Sequence, residues 1–158
     1  RGATELERVT DVVGVPWLSE REVCAVAFQG RIACFELSSG NLVWARPMSS
    51  TTGLDGDGRY LFVADEKGLV HALDRSGGSS VWTQDKLSLR RLTAPVAAGR
   101  EIVVGDVEGY LHLLSRETGA FVGRVATDGS PLGTSPVRLE EAILVQTAKG
   151  GLYAFGKQ

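Results

Sequence analysis

Apolar residues along this chain come in short bursts, each broken after a few positions by glycine, proline, aspartate or serine. Glu101-Ile-Val-Val-Gly105 is β-branched, and Tyr110-Leu-His-Leu-Leu-Ser115 and Phe121-Val-Gly-Arg-Val125 follow at turn-sized intervals. Runs of this kind between turn clusters are strand signals. With Pro95–Ala98 in front they predict a unit of four strands. Turn chemistry fills the gaps at Ala98-Gly99-Arg100, Asp106-Val107-Glu108-Gly109 and Glu117-Thr118-Gly119. Glycine there reaches positive φ without a steric cost. The third strands are apolar on both faces, with Leu69 and Leu73 on one side and Val70 and Ala72 on the other. A sheet with one wet face alternates strictly, so two apolar faces predict a sheet sandwiched between neighbours. Only Glu5–Val12 has a pattern that would support a turn or two of helix. The pattern is all-β.

The same pattern repeats. Gly30-Arg-Ile-Ala-Cys-Phe-Glu, Gly68-Leu-Val-His-Ala-Leu-Asp, Gly109-Tyr-Leu-His-Leu-Leu-Ser and Gly150-Gly-Leu-Tyr-Ala-Phe-Gly align, with glycines 38, 41 and 41 residues apart. A period of about 40–50 residues is that of a propeller blade. The register extends further: Gly40, Gly78 and Gly119 follow ten residues later, and Trp44 and Trp82 fourteen later, where Gly123 breaks the pattern. Pro16, Pro95 and Pro136 stand fourteen residues before, with Leu54 the exception. The expected domain is therefore a β-propeller portion of about four four-stranded blades. They run over roughly 15–48, 51–87, 93–129 and 134–158, behind a leading loop over 1–14, and the last lacks its fourth strand. Trp44 and Trp82, one large aromatic at one repeat position, are expected to be buried docking residues between blades. A fourth blade short of a strand predicts an open edge and two uncovered apolar faces. Two copies are then expected to pair face to face, with closure into a strained four-bladed ring as the alternative.

Composition narrows the field. The 158 residues carry 20 glycines and a net charge of −2, which gives no general pull toward nucleic acid or anionic membrane. No apolar run approaches the ~18–20 residues of a membrane-spanning helix. The chain starts at Arg1 without a signal peptide, as expected of a piece cut from something longer.

A strand reading Gly-x-Leu-x-Ala-Leu-Asp, followed by a turn glycine and a docking tryptophan, resembles the PQQ-like repeat family, which also matches WD40-like blades in form. Gly2-Ala-Thr-Glu-Leu-Glu-Arg-Val-Thr-Asp11, Val81-Trp-Thr-Gln84, Arg90-Arg-Leu-Thr-Ala-Pro95 and Val103-Val-Gly-Asp-Val-Glu-Gly-Tyr-Leu-His112 are similar to the C-terminal half of the BamB family. That resemblance implies half of an eight-bladed ring at the periplasmic face of the bacterial outer membrane, tethered by an N-terminal lipid that this chain does not contain. It also implies a lipoprotein scaffold that binds the POTRA region of BamA in the BAM complex and assists nascent outer-membrane proteins, with no cofactor. In the family the loop before the first of these blades carries Asp-x-Asp for docking. Here it reads Asp11-Val12-Val13, so Asp11 matches and Val13 does not. Asp11, with Glu5 and Arg8 beside it, is the expected partner-binding segment.

The remaining candidates have blander readings beside the functional ones. His71 and His112 both stand three residues after a repeat glycine, which invites a shared metal. A metal needs three or four ligands, and Ala33 and Tyr153 occupy the matching offsets, so both read as packing side chains. Cys24 and Cys34 lie five residues either side of Gln29, opposite each other across a hairpin centred there. Either a disulfide or two free core cysteines fits that placement. Asp65 and Asp106, three before the repeat glycine, read as turn caps. The loop Asp85-Lys-Leu-Ser-Leu-Arg-Arg91 mixes apolar and basic residues. Either Arg90 or Arg91 meets a partner carboxylate, or the loop is merely solvated with Leu87 or Leu89 turned inward. No Gly-x-Ser-x-Gly elbow, P-loop or zinc spacing is present. No catalytic or metal-binding residue is assigned. The functional classes left are a non-enzymatic scaffold, a fragment of a PQQ-dependent quinoprotein dehydrogenase, and a propeller sensor domain.

Overall fold

The computed structural model describes residues 11–140 and 142–156. Four antiparallel sheets follow one another along the chain as four blades of a β-propeller. The first holds β1 (Val12–Leu18), β2 (Glu22–Ala27), β3 (Gly30–Glu36) and β4 (Leu42–Met48). The second holds β5 (Leu54–Gly56), β6 (Tyr60–Ala64), β7 (Val70–Asp74) and β8 (Ser80–Gln84). In the third are β9 (Val96–Ala98), β10 (Glu101–Gly105), β11 (Tyr110–Ser115) and β12 (Phe121–Ala126). The fourth has three strands among the described residues: β13 (Val137–Arg138), β14 (Ala142–Gln146) and β15 (Leu152–Gly156). Sheet order follows chain order, and the first strand of each blade touches the first strand of the next.

One boundary differs from expectation. The leading loop read over 1–14 is strand from Val12 onward, with Val12 opposite Ala27 and Val13 opposite Val26. Two local features hide it from a pattern search. The register breaks between Val13 and Trp17, and Gly14 (φ +71°) lets the backbone come against Gly53 of the second blade. A Cβ on Gly14 would lie 2.7 Å from the Thr52 carbonyl oxygen. Of the helix read over Glu5–Val12, only Asp11 and Val12 bear on the described residues, and Val12 is in β1.

The core is three layers of apolar side chains, one in each gap between blades. Cys24, Ile32, Leu61 and Leu73 fill the first, Phe62, Ala72, Ile102 and Leu114 the second, and Val103, Leu111, Ile143 and Val145 the third. Cys24 and Cys34 are register partners in the first layer, both fully buried, and a disulfide joins them.

The first two gaps are also fastened from the outer strand. The Trp44 indole packs on Gly78, in the turn after the third strand of the next blade, and its Nε1 donates to the Arg75 carbonyl at 2.7 Å. Trp82 does the same to Gly119 and the Arg116 carbonyl, at 2.8 Å. A Cβ on either glycine would fall 2.4 Å from the indole, so only glycine admits the ring. Two residues on, Arg46 and Gln84 each donate to the carbonyl of the same glycine at 2.8 Å. The arginine that accepts from the tryptophan reaches back to the preceding blade. Arg75 lies over the Trp17 ring at 4.7 Å and pairs with Glu22 at 3.3 Å. Arg116 lies over Tyr60 at 4.6 Å and grips Asp57 with Nε at 2.6 Å and Nη2 at 3.1 Å. Burial opposes the Asp57 charge, but Arg116 and the amides of Arg59 and Tyr60 hold its carboxyl below the ordinary range.

Within blades two and three the central hairpin is locked by an aspartate and a histidine. Asp106 Oδ1 accepts the amides of Glu108 and Tyr110, at 2.9 and 3.0 Å, and Oδ2 meets His112 Nε2 at 2.7 Å. Asp65 repeats this with Lys67, Leu69 and His71. In blade four Thr147 Oγ1 takes the amide of Gly151, 3.0 Å away. Blade one has Ala27 in that position and turns more tightly, with Gln29 rather than the repeat glycine in the left-handed region (φ +50°). His71 and His112 therefore each serve a turn of their own blade and share no site. Among the described residues no three His, Cys, Asp or Glu side chains gather.

Two outcomes follow. Trp82→Ala should cost ~3–5 kcal/mol, the range for removing a buried large aromatic, measured by guanidinium unfolding. The second concerns acid. Burial of Asp106 disfavours its charge, yet His112, the Tyr110 and Glu108 amides and Arg90 outweigh that and depress its pKa. A depressed carboxylate adds stability that is present above the unfolded value of ~4 and is lost as pH falls through the folded value. Asp106→Asn should therefore flatten the decline in unfolding free energy between about pH 5 and pH 3. An unchanged slope would assign that decline to other carboxylates.

Candidate partner-binding site

The blades have two ends. One carries the turns between second and third strands together with the connectors that lead from each blade to the next, and it is tied together by main-chain and hydroxyl bonds. The Phe28 amide donates to the Asp11 carbonyl at 3.1 Å, and the Gln29 amide to Ser49 Oγ at 2.8 Å. Ser49 Oγ donates in turn to Glu66 at 3.0 Å. The Glu66 amide bonds the Ser49 carbonyl at 2.9 Å, which carries the network into the second blade.

Asp11 sits at this end with its side chain exposed and its backbone in the left-handed region (φ +62°). Phe28, its hydrogen-bond partner, is itself 39% exposed. Glu5 and Arg8, expected beside Asp11, lie outside the described residues. Val13, which stands where the family's second docking acid would be, is a half-buried strand residue paired with Val26.

The connector Asp85–Arg91 opens on the same end. Leu87 is buried, while Leu89 is 95% exposed at φ +68° and Arg91 is exposed at φ +51°. The two leucines thus divide the alternatives left open by the sequence: one anchors the loop and the other is displayed. Arg90 is a brace. Its carbonyl accepts the Val107 amide at 3.0 Å, and its Nη1 lies 3.2 Å from the fully buried Asp106 carboxylate and 3.7 Å from Glu108. That guanidinium nitrogen is committed inside the molecule, so Arg91, next in the chain, is the outward-facing cation of the pair. Behind the loop, a Cβ on Gly68 would meet Ser88 Cα at 3.1 Å, so the connector rests on the second blade's hairpin.

Left-handed backbone at a leucine or an arginine is uncommon and persists only where surrounding contacts impose it. Among the described residues four non-glycine positions have positive φ: Asp11, Gln29, Leu89 and Arg91. All four are at this end. The sequence pointed to Asp11 and to the Asp85–Arg91 loop separately, and the structure places them on one face. It missed Leu89 as the displayed residue, because apolar character alone does not tell the buried leucine from the exposed one. It also missed Arg75 and Arg116. Their common offset from the repeat glycines was the available signal.

Solved structures with this architecture include proteins of different kinds. The quinohemoprotein alcohol dehydrogenase of Comamonas testosteroni shares the fold alone: TM-score 0.72 at 15% identity, over 94% of this chain and 34% of that one. The crystal structure of BamB from Moraxella catarrhalis superposes with a TM-score of 0.87 at 27% identity, over 99% of this chain and 46% of that one. The BamB of Burkholderia pseudomallei is 41% identical over 155 residues, which is 98% of this chain and 41% of that protein. The chain thus spans about two fifths of the length of the curated relatives it matches. Residues 1–84 match the family described as outer membrane protein assembly factor BamB, and to that family the chain belongs.

Proposed function

We propose that this chain is part of a non-catalytic scaffold that docks onto the POTRA domains of a BamA-like subunit and assists assembly of β-barrel proteins into the outer membrane. The observation that carries the reading is the clustering of left-handed, exposed Asp11, Leu89 and Arg91 at one end of a rigid set of blades. An acidic group, an apolar knob and a cation held by braced backbone match what protein interfaces use, because little ordering entropy is lost on docking. The working location is the periplasmic face of the outer membrane, with the lipid anchor supplied by residues outside this sequence. A buried disulfide suits an oxidising compartment of that kind. The dehydrogenase reading is disfavoured by the tryptophans. Trp44 and Trp82 are both spent on blade clamps, which leaves Trp17 alone to stack on a quinone.

Titration against an isolated POTRA fragment by calorimetry tests the docking face. Asp11→Asn keeps a residue that tolerates left-handed backbone and removes only the charge. It should weaken binding by ~1–2 kcal/mol, and Leu89→Ala by a similar amount, with the melting temperature unchanged. Wild-type affinity in both variants would remove this face from the interface.

The same chain leaves apolar side chains uncovered on its first and last blades, with Val15 82% and Leu152 72% exposed. Patches of this kind favour association. The 158-residue chain should therefore scatter light as a dimer at tens of micromolar, and a stable monomer there would refute pairing.

A further inference from the structure

The link into the third blade is longer than the link into the second. Residues 49–53 join the first two blades, whereas residues 85–95 join the second to the third. Between the longer link and the third blade lies an open pocket of about 290 Å³. Lys86, Leu87 and Arg90 of the link line one side of it, and His112, Phe121 and Arg124 of β11 and β12 line the other. All four strands of both blades are described, so the pocket is bounded on each side. Leu87 and His112 are buried, while Lys86, Phe121 and Arg124 are exposed. Every ionisable side chain that lines the pocket is basic. Asp106 takes His112 Nε2 at 2.7 Å and Arg90 Nη1 at 3.2 Å, and Glu108 stands 3.7 Å from the same Arg90 nitrogen. Those acids offset Arg90. Among the described residues neither Lys86 nor Arg124 is in an ion pair. The Arg124 guanidinium lies over the Tyr110 ring at 4.4 Å. The second blade shows what this arrangement replaces. There His71 Nδ1 meets the Thr83 hydroxyl at 3.2 Å. Arg124 stands opposite His112 as Thr83 stands opposite His71, so a charge is set where the sister copy has a neutral hydroxyl.

We propose that this pocket takes the carboxylate of an acidic side chain, glutamate above all, carried on a segment of another polypeptide. Lys86 and Arg124 stand on opposite sides of it, and hydrogen bonds from such cations to a carboxylate are stronger than neutral ones. Leu87 and the Phe121 ring offer apolar surface to the methylenes behind the carboxylate, which favours glutamate over aspartate. Delivery by a polypeptide follows from the link itself. It displays Leu89, 95% exposed, and Arg91, both on left-handed backbone. Leu89 is three residues from Lys86, at most about 11 Å along the chain, so a segment that meets the leucine reaches the pocket. The inference goes beyond the docking reading and does not need it, because an acidic segment would meet the same groups whichever protein carried it.

The test titrates acetyl-Thr-Thr-Glu-Thr-Thr-amide, its glutamine counterpart and inorganic phosphate into the 158-residue chain. Binding is followed by the NMR signals of the Leu87 methyls, the Phe121 ring and the Gly123 amide. The glutamate peptide should shift these signals and saturate at millimolar concentration, as one ion-paired side chain allows. The glutamine peptide should bind at least about tenfold more weakly, since the charge-assisted bonds are lost. The pair Lys86→Gln with Arg124→Gln should abolish the shifts and melt at the wild-type temperature, because both side chains are exposed. Should the pair fold poorly, Lys86→Gln alone should weaken binding several-fold. Arg91→Gln, on the same link but outside the pocket, should leave the affinity unchanged. Absent shifts, equal affinity for the two peptides, undiminished binding by the folded variants, or an equal loss in Arg91→Gln would each overturn the proposal. So would displacement of the peptide by phosphate at equal concentration, which would make this a site for free anions.

Discussion

A sheet that is apolar on both faces is stable only while both faces are covered, and here the cover is fixed by one contact: an indole seated on a glycine of the next blade. Trp44 on Gly78 and Trp82 on Gly119 set the distance between blades, because the ring fills the space a Cβ would need. Their Nε1 donors set the angle, because each must reach one particular carbonyl. The layers of valine, leucine and isoleucine between blades are non-directional and would tolerate sliding. The tryptophan is what makes the stacking specific. The arginine whose carbonyl receives that bond turns its side chain back to the preceding blade, so each clamp ties the same two blades together twice, in both directions.

The aspartate–histidine hairpins translate that rigidity into the display of loops. With the turn at Asp106 locked by His112 and by two amides, its carboxylate is a fixed point to which Arg90 can be tied. Arg90 then holds the connector with Leu89 outward. The left-handed backbone at Leu89 and Arg91 is stable because both ends of the short segment are anchored, by Leu87 in the core and by the bond from Val107 to the Arg90 carbonyl. Strain held by the fold in this way is a route from core packing to a recognition surface. It is a more direct one than any chemistry of the surface residues themselves.

Much of this was legible because repetition averages out local ambiguity. Strands β10 and β11 fall on the boundaries the pattern predicts, since β-branched runs between turn glycines recur at a constant offset. The pairing of Cys24 with Cys34 was readable as a register but not as a bond. Symmetry about Gln29 makes the two residues opposite, while the chemistry between them depends on packing that the sequence does not encode locally. β1 was not legible before Pro16, because its register break and its contact with Gly53 remove the alternation that marks a strand. The role of Arg90 was illegible for another reason. A basic residue in a polar loop looks free until the buried acid of a neighbouring hairpin is placed 3.2 Å from it.

The exception in the third copy then takes on meaning from the rule. A repeat that has lost its clamp should fill the hole with bulk or draw its blades together, because an unfilled apolar gap forfeits both transfer and dispersion energy. In the third copy Gly123 and Val125 stand where the clamp residues would be, and Leu113, opposite Gly123, adds bulk where the sister copies have Cys34 and Ala72. Shared repeats make the comparison internal to one chain, with the same strands, the same turns and the same partner positions in the two closed gaps. Among the described residues the difference lies on the outer strand, at Gly123 and Val125.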